Sequence, residues 1–387
     1  MKHSTDRILT THCGSLARPK GLLDLMKAKL NNEPYDRESY DRRVQGAVSD
    51  IVRKQVENGI DVVTDGEQSK PGFFAYVRER LSGFEAKTPP PGGWQQWAAE
   101  VAMFPEYYEN YFSRRMMGGS IVPRTPMVCT APISYRGQDA LRKDIENLKA
   151  ALVGLKAEEA FMPAVAPSGV GTNEYYRSNE EYLQAVGDAL RTEYQEIVGA
   201  GFILQIDDPW LTEVHSQDPS LTSAQRRKIA EQSIEALNHA IRDIPPEKIR
   251  FHTCYGINEG PRVHDAPLKD IVDLILKVNA GAYAFEAANP RHEHEYRVWE
   301  TVKLPAGKIL IPGVITHCSN IVEHPELIAE RLSRYAKVVG RENVIAGSDC
   351  GFSSQATYSP EVHPSVVWAK FQAMAEGARL ATKQLWR

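Results

Sequence analysis

The chain has 387 residues, 42% of them hydrophobic and 25% charged, a globular balance that excludes disordered and fibrous architectures. Forty-six basic side chains stand against fifty acidic ones, a net charge of −4 with no dense Lys/Arg run, so no nucleic-acid partner is expected. The opening MKHSTDRILTTHCGS is charged and lacks an apolar stretch, and nowhere do about eighteen uncharged apolar residues follow one another; the chain reads as cytoplasmic, without a leader or a membrane contact.

In chain order, short β-branched runs at 8–11, 61–64, 127–130, 161–165, 202–206, 249–254, 282–285, 309–314 and 344–346 are the candidate strands. Helical periodicity is clearest at 43–58, 180–200, 223–242, 267–279, 325–339 and 363–385. Gly59, Gly201 and Gly340 each close a periodic run and precede a strand, as residues able to take positive φ at a helix end. This cadence predicts an α/β chain folded as one (β/α)8 TIM barrel over 1–387. Nine runs exceed eight ring positions by one, and 8–11 or 161–165 is expected outside the ring. Between about 84 and 122 the cadence breaks into PPPGGWQQW followed by Phe104, Tyr107, Tyr108, Tyr111 and Phe112. This is an aromatic-rich insertion, expected as a hairpin or helix pair packed on the barrel rather than as a lid.

Five cysteines, Cys13, Cys129, Cys254, Cys318 and Cys350, are an odd number in a long chain and argue for free or metal-bound thiolates over a disulfide framework. FHTCYG sets His252 and Cys254 two apart at a strand end, where both leave the same face. AYAFEAANP and VIAGSDCGF put Glu286 and Cys350 at the ends of later strands, which in a barrel share one rim. Imidazole, thiolate and carboxylate together suit Zn2+. Ligands this far apart, one of them an exchangeable carboxylate, favour a catalytic over a structural site, although H-x-C alone is a weak signal.

The ordered set TTHCGSLARP, DVVTDGEQ, MVCTAPIS, LQIDDPWL, FHTCYG, FEAANP, GVITHCSN and AGSDCGF resembles the catalytic half of the cobalamin-independent methionine synthases and the related single-domain thiol alkyltransferases, which include epoxyalkane:coenzyme M transferases. The resemblance covers nearly the whole chain. It implies His252, Cys254, Glu286 and Cys350 as zinc ligands and Ser15, Glu67 and Asp207 as holders of the amino-acid head of homocysteine. This chain departs from the family in two places. Gly66-Glu67 continues as Gln68-Ser69 where the family has an acidic or small residue and then Arg. An ungapped match also puts Cys318 where the family has its proton-donating His, with His317 one residue earlier, so His317 is the candidate acid.

The expected activity is zinc-dependent transfer of a methyl group from a 5-methyltetrahydrofolate-type donor to homocysteine or a similar thiol. Epoxyalkane:coenzyme M transfer is the alternative, with Arg18, Lys20 and Arg291 available for a sulfonate; a non-catalytic zinc-binding barrel is the alternative of another class. The expected partners are therefore a small-molecule thiol and an alkyl donor, and self-association as a homo-oligomer stays open. The absence of a G-x-G-x-x-G after a strand excludes a Rossmann dehydrogenase. Two further clusters look like metal tracts: Arg291-His292-Glu293-His294-Glu295 is expected as a solvated or substrate-facing turn, and Asp207-Asp208 as a substrate amine contact rather than a magnesium pair.

Overall fold

The structure, a computed structural model, describes all residues except 88–97, 115–119, 124, 217–219 and 257–258. The PPPGGWQQW segment and the Phe112 side chain lie outside the described residues. Ten strands occur among the described residues: β1 (Val62–Val63), β2 (Leu81–Ala86), β3 (Met127–Tyr135), β4 (Glu159–Val165), β5 (Thr172–Asn173), β6 (Ile203–Asp207), β7 (Ile249–His252), β8 (Ala282–Phe285), β9 (Ile309–Ile315) and β10 (Gly347–Ser348).

Seven of them form a parallel sheet in the order β1-β4-β6-β7-β8-β9-β10. Residues 9–11 close it. Thr10 bridges Ala346 in parallel on one side, and the amides of Asp61 and Val62 donate to Thr10 O on the other. The chain is thus the eight-stranded barrel that the cadence predicts, with one correction. Both 8–11 and 161–165 lie in the ring, and 127–130 is the strand outside it. It belongs to β3, which pairs antiparallel with β2 and parallel with β5 in a separate three-stranded sheet. Burial accounts for the difference: β6 and β9 are buried at every residue, as barrel strands sandwiched between core and helices must be, whereas β3 is half exposed.

Helices Arg37–Glu57, Gln138–Leu152, Asn179–Gly199, Ser223–Ala240, Leu268–Ile275, Pro325–Val339 and Pro364–Leu385 cover the ring, and the crossover from β8 to β9 is a 3₁₀ helix, Glu293–Glu300. Local chemistry starts several of them: Asp36 and Ser178 accept from backbone amides at N-caps, and Thr222 and Gln225 form a reciprocal capping box. No helix among the described residues is long and apolar enough to cross a membrane.

The barrel interior is filled by alanine and branched aliphatic side chains, Leu9, Ala282, Ala284, Ile309, Ile311 and Ile345. Arg250 crosses this interior fully buried, stacked 4.1 Å over Phe161 and donating to Thr11 Oγ1 and His12 O. It thereby ties the closing segment 9–11 to β7. The insertion adds the β2–β3 hairpin and two helices, Ala98–Met103 and Pro105–Arg114. These helices rest on the loops after β7 and β10: Tyr107 Oη donates to Glu259 O, Glu100 Oε1 accepts from His264 N, and Tyr111 Oη donates to Glu361.

Candidate metal centre on the barrel rim

Asp207 is the last residue of β6 and His252 the last of β7, and they are register partners across the two strands. Side chains of paired residues share a face, so register alone brings them together: His252 Nδ1 lies 3.0 Å from Asp207 Oδ1. Gln205 Nε2, two residues back on the same face, also binds Asp207 Oδ1, at 2.7 Å. His252 Nε2 is left pointing into the rim. A carboxylate that fixes a histidine in this way is the usual outer partner of a ligating imidazole.

Cys13 and Cys350 meet that ring, and Cys254 packs against both thiols. Cys13 Sγ is 3.3 Å from His252 Nε2, and Cys254 Sγ is 3.2 Å from Cys350 Sγ. The donor atoms of Cys13, His252 and Cys350 all lie within 4.8 Å of one another, and all four residues are buried. For zinc–sulfur bonds of about 2.3 Å, tetrahedral sulfurs stand about 3.8 Å apart, so the spacing of Cys13, His252 and Cys350 fits one ion. The electrostatics fit too. Hydrogen bonds from Cys13 and Cys254, with His252 beside them, hold the Cys350 thiol well below its ordinary range despite burial. Burial lowers the His252 pKa, but the Asp207 hydrogen bond and Cys350 outweigh it and raise it to about 10. Burial and Cys350 push the Cys13 thiol up, and the Cys350 hydrogen bond and burial do the same for Cys254. The donors gather around the one thiol that its surroundings make more acidic, a soft ligand of the kind a borderline-soft divalent ion accepts.

Glu286, directly after β8, is held differently. Tyr255 N donates to Oε1 at 2.8 Å, Asn289 Nδ2 to Oε2 at 2.7 Å, and Arg262 Nη1 pairs with Oε2 at 2.8 Å. Its oxygens group with His317 and Asp349, which like it are buried. Asp349 accepts from the amides of Ala287, Ala288 and Asn289 and so pins the loop that carries Glu286. Gly313 makes this possible, because a Cβ there would sit 2.0 Å from Asp349 Oδ1. His317 places Nε2 at 3.3 Å from Gly256 O and 3.5 Å from Cys318 Sγ. Burial lowers its pKa, yet Cys318, Cys350 and Glu286 around it raise the net value well above the ordinary one. Cys318 also lies 3.5 Å from Arg262 Nη1.

Glu67 and Ser15 reach the same rim from its other side. Glu67 is buried in a left-handed conformation, φ 55°, and its Oε2 has no hydrogen-bond partner. Burial raises its pKa from 4.5 to about 7, against Lys70 and Arg18, which lower it. Ser15 Oγ faces Ser353 N and Ser354 Oγ in the loop after Cys350. The neighbouring clusters resolve as structural. Asp208 accepts from Ser168 Oγ and Leu211 N and so starts the following helix, while His292 stacks on Tyr255 between Glu295 and Asp265; His294 is exposed.

Residues 166–370, just over half of the chain, match the family described as the catalytic domain of the cobalamin-independent synthases. The chain belongs to that family. The match spans His252, Cys254, Glu286, His317 and Cys350, while Cys13, Ser15 and Glu67 precede it. Across nearly its full length the chain resembles curated methionine synthases: 24% identical to that of Saccharolobus solfataricus over 98% of this chain and 96% of the relative, and 25% to that of Sulfolobus acidocaldarius over 88% and 85%. In three dimensions it resembles a B12-independent methionine synthase from a Shewanella species, with TM-score 0.71, 18% identity and coverage of 98% of this chain and 99% of that one. A protein of the same putative type from Listeria monocytogenes gives TM-score 0.65, 19% identity and 96% and 98% coverage. These likenesses establish the fold, and the family match agrees with the resemblance read from the motifs.

Sequence reasoning left Cys13 among the unassigned thiols. The signal was available: it follows the run 8–11 by two residues and stands two before Ser15, which the resemblance implies as a substrate contact. Arg262 and Asp349 had no comparable signal, since their partners come from other loops.

Proposed function

We propose that this chain is a zinc-dependent thiol S-methyltransferase of the methionine synthase type, moving a methyl group from a 5-methyltetrahydrofolate-type donor to homocysteine or a similar thiol. The observation that carries this reading is the convergence, on one rim of a family barrel, of three thiols, an Asp207-oriented His252 and the buried Glu67 with its open oxygen. His252, Cys254 and Cys350 would hold zinc, with Glu286 alongside. Zinc bound there supplies the Lewis acidity that keeps a thiol deprotonated at neutral pH, where a free thiol of pKa about 8.5 is mostly protonated.

The rest falls to the protein. Glu67 Oε2, buried without a partner, suits a substrate ammonium, with Ser15 and Asp207 nearby on the rim. Asp207 also keeps His252 in the orientation that faces the thiols. His317 stands on the Glu286 side, where it would hand a proton to the leaving group as the carbon–sulfur bond forms.

The cations that a sulfonate thiol would need are committed elsewhere: Arg18 donates to the carbonyls of Ser353, Glu67 and Lys70, Lys20 pairs with Asp24 at the surface, and Arg291 reaches Val263 O. An amino-acid thiol is therefore the better fit. The test is to give the zinc-loaded protein homocysteine or coenzyme M, each with methyl-tetrahydrofolate or epoxypropane, and follow thiol loss. Homocysteine with the folate donor is expected to react fastest, and a preference for coenzyme M with epoxide would overturn the assignment.

A further inference from the structure

Of the five cysteines, Cys13, Cys129, Cys254 and Cys350 are buried; Cys318 alone is half-exposed, in the loop after β9 next to the exposed Asn320 and Ile321. We propose that Cys318 is a modification site, where the chain takes up half of a small carboxylate-bearing disulfide as a reversible mixed disulfide at the edge of the rim. The site stands on its own residues, and its effect on turnover rests on the thiol-transfer reading.

Three observations support it. First, two nitrogen donors flank the sulfur: His317 Nε2 and Arg262 Nη1 each lie 3.5 Å from Cys318 Sγ. Partly exposed thiols with cationic neighbours are the ones that enter thiol–disulfide exchange. Second, Arg262 has an N–H group still to be satisfied. Its Nε binds Asp265 and its Nη1 binds Glu286, both at 2.8 Å, whereas Nη2 is buried without a hydrogen-bond partner among the described residues. A buried donor left unpaired is costly, and a carboxylate on the incoming molecule would satisfy it. Third, both groups are held in place beforehand: Arg262 stands in a left-handed conformation, φ 59°, and Cys318 N donates to Thr316 Oγ1 at 3.1 Å. In the exchange, Cys318 Sγ bonds to one sulfur of the disulfide and the S–S bond breaks. The second sulfur leaves as a thiol with the proton that Cys318 gives up, carried by His317. The adduct then lies against His317 and obstructs the proton donation proposed for it.

The test treats the zinc-loaded full chain with glutathione disulfide or, as the uncharged control, hydroxyethyl disulfide. Peptide mass mapping locates the adduct, and zinc content and turnover are followed in parallel. Each rate is taken relative to Cys318 in the same chain unfolded in urea. One adduct per chain should form, on Cys318, with the glutathione rate enhanced about 10-fold more than the hydroxyethyl one. Zinc should stay bound, while turnover falls as the adduct forms and returns with reductant. Cys318→Ser should form no adduct, and whatever turnover it has should resist the disulfide. Adducts on Cys254 or Cys350 with release of zinc, equal enhancement for the two disulfides, or turnover unchanged by an adduct on Cys318 would each overturn the proposal. A chain that forms the Cys318 adduct but shows no turnover before treatment upholds the site and contradicts the thiol-transfer reading instead.

Discussion

On one side of the barrel rim Cys13, His252 and Cys350 face one another with Cys254 against Cys350, and hydrogen bonds from Cys13 and Cys254 hold the Cys350 thiol below its ordinary range. On the other side, Glu286, Arg262, Asn289 and the Tyr255 amide satisfy one another, and His317 sits beside them. Both clusters are buried and both are built from strand-end loops, yet the first is made of soft thiol and imidazole donors and the second of a carboxylate held by a guanidinium, an amide and a backbone N–H. Their contrast shows that burial of titratable groups does not by itself mark a metal site; what marks it is the convergence of soft donors within reach of one ion.

The comparison breaks most severely if the soft cluster is dispensable. Cys350→Ser should lose bound zinc and turnover together, by more than the about 100-fold that outer partners usually cost, as read by metal analysis alongside thiol loss. On the other side, His317→Gln should keep its zinc while turnover falls by about 10²–10⁴-fold, separating proton transfer from metal binding. Asp207→Asn leaves every donor in place but loosens the His252 orientation, and should weaken zinc binding by about 10–100-fold in a competition titration against a chelator.

The smallest effect concerns Glu67. Its folded pKa is raised to about 7 from 4.5, so between those values the folded chain holds a proton that the unfolded chain releases, and stability falls as pH rises through that window. Glu67→Gln should therefore stabilise the substrate-free protein above pH about 7 by roughly 1–2 kcal/mol in denaturant titrations, and by less near pH about 5. The same variant should bind the thiol amino acid more weakly, because its open oxygen no longer carries a charge for the ammonium.

Much of this was legible in the sequence because the barrel converts order along the chain into place on a rim. Once the runs 249–254, 282–285 and 344–346 are read as strands, the residues at and just beyond their ends have to meet at one end. What strand ends cannot convey is the side-chain partnership within the rim. Nothing local in AYAFEAANP tells that Glu286 is clasped by Arg262 from a different loop, and nothing in the motif around Asp207 separates a carboxylate that orients His252 from one that awaits a substrate. The odd strand was misassigned for a related reason. The runs at 127–130 and 161–165 look alike in composition, and only the half-exposed pairing of β3 with β2 tells a strand outside the barrel from one within it.

The most direct measurement is turnover against metal content: purified protein stripped with a chelator and reloaded stepwise with zinc, while loss of homocysteine thiol is followed. Activity should be absent in stripped protein and rise in proportion to zinc until about one ion per chain is bound. Thiol alkylation at the full rate by zinc-free protein would contradict the account.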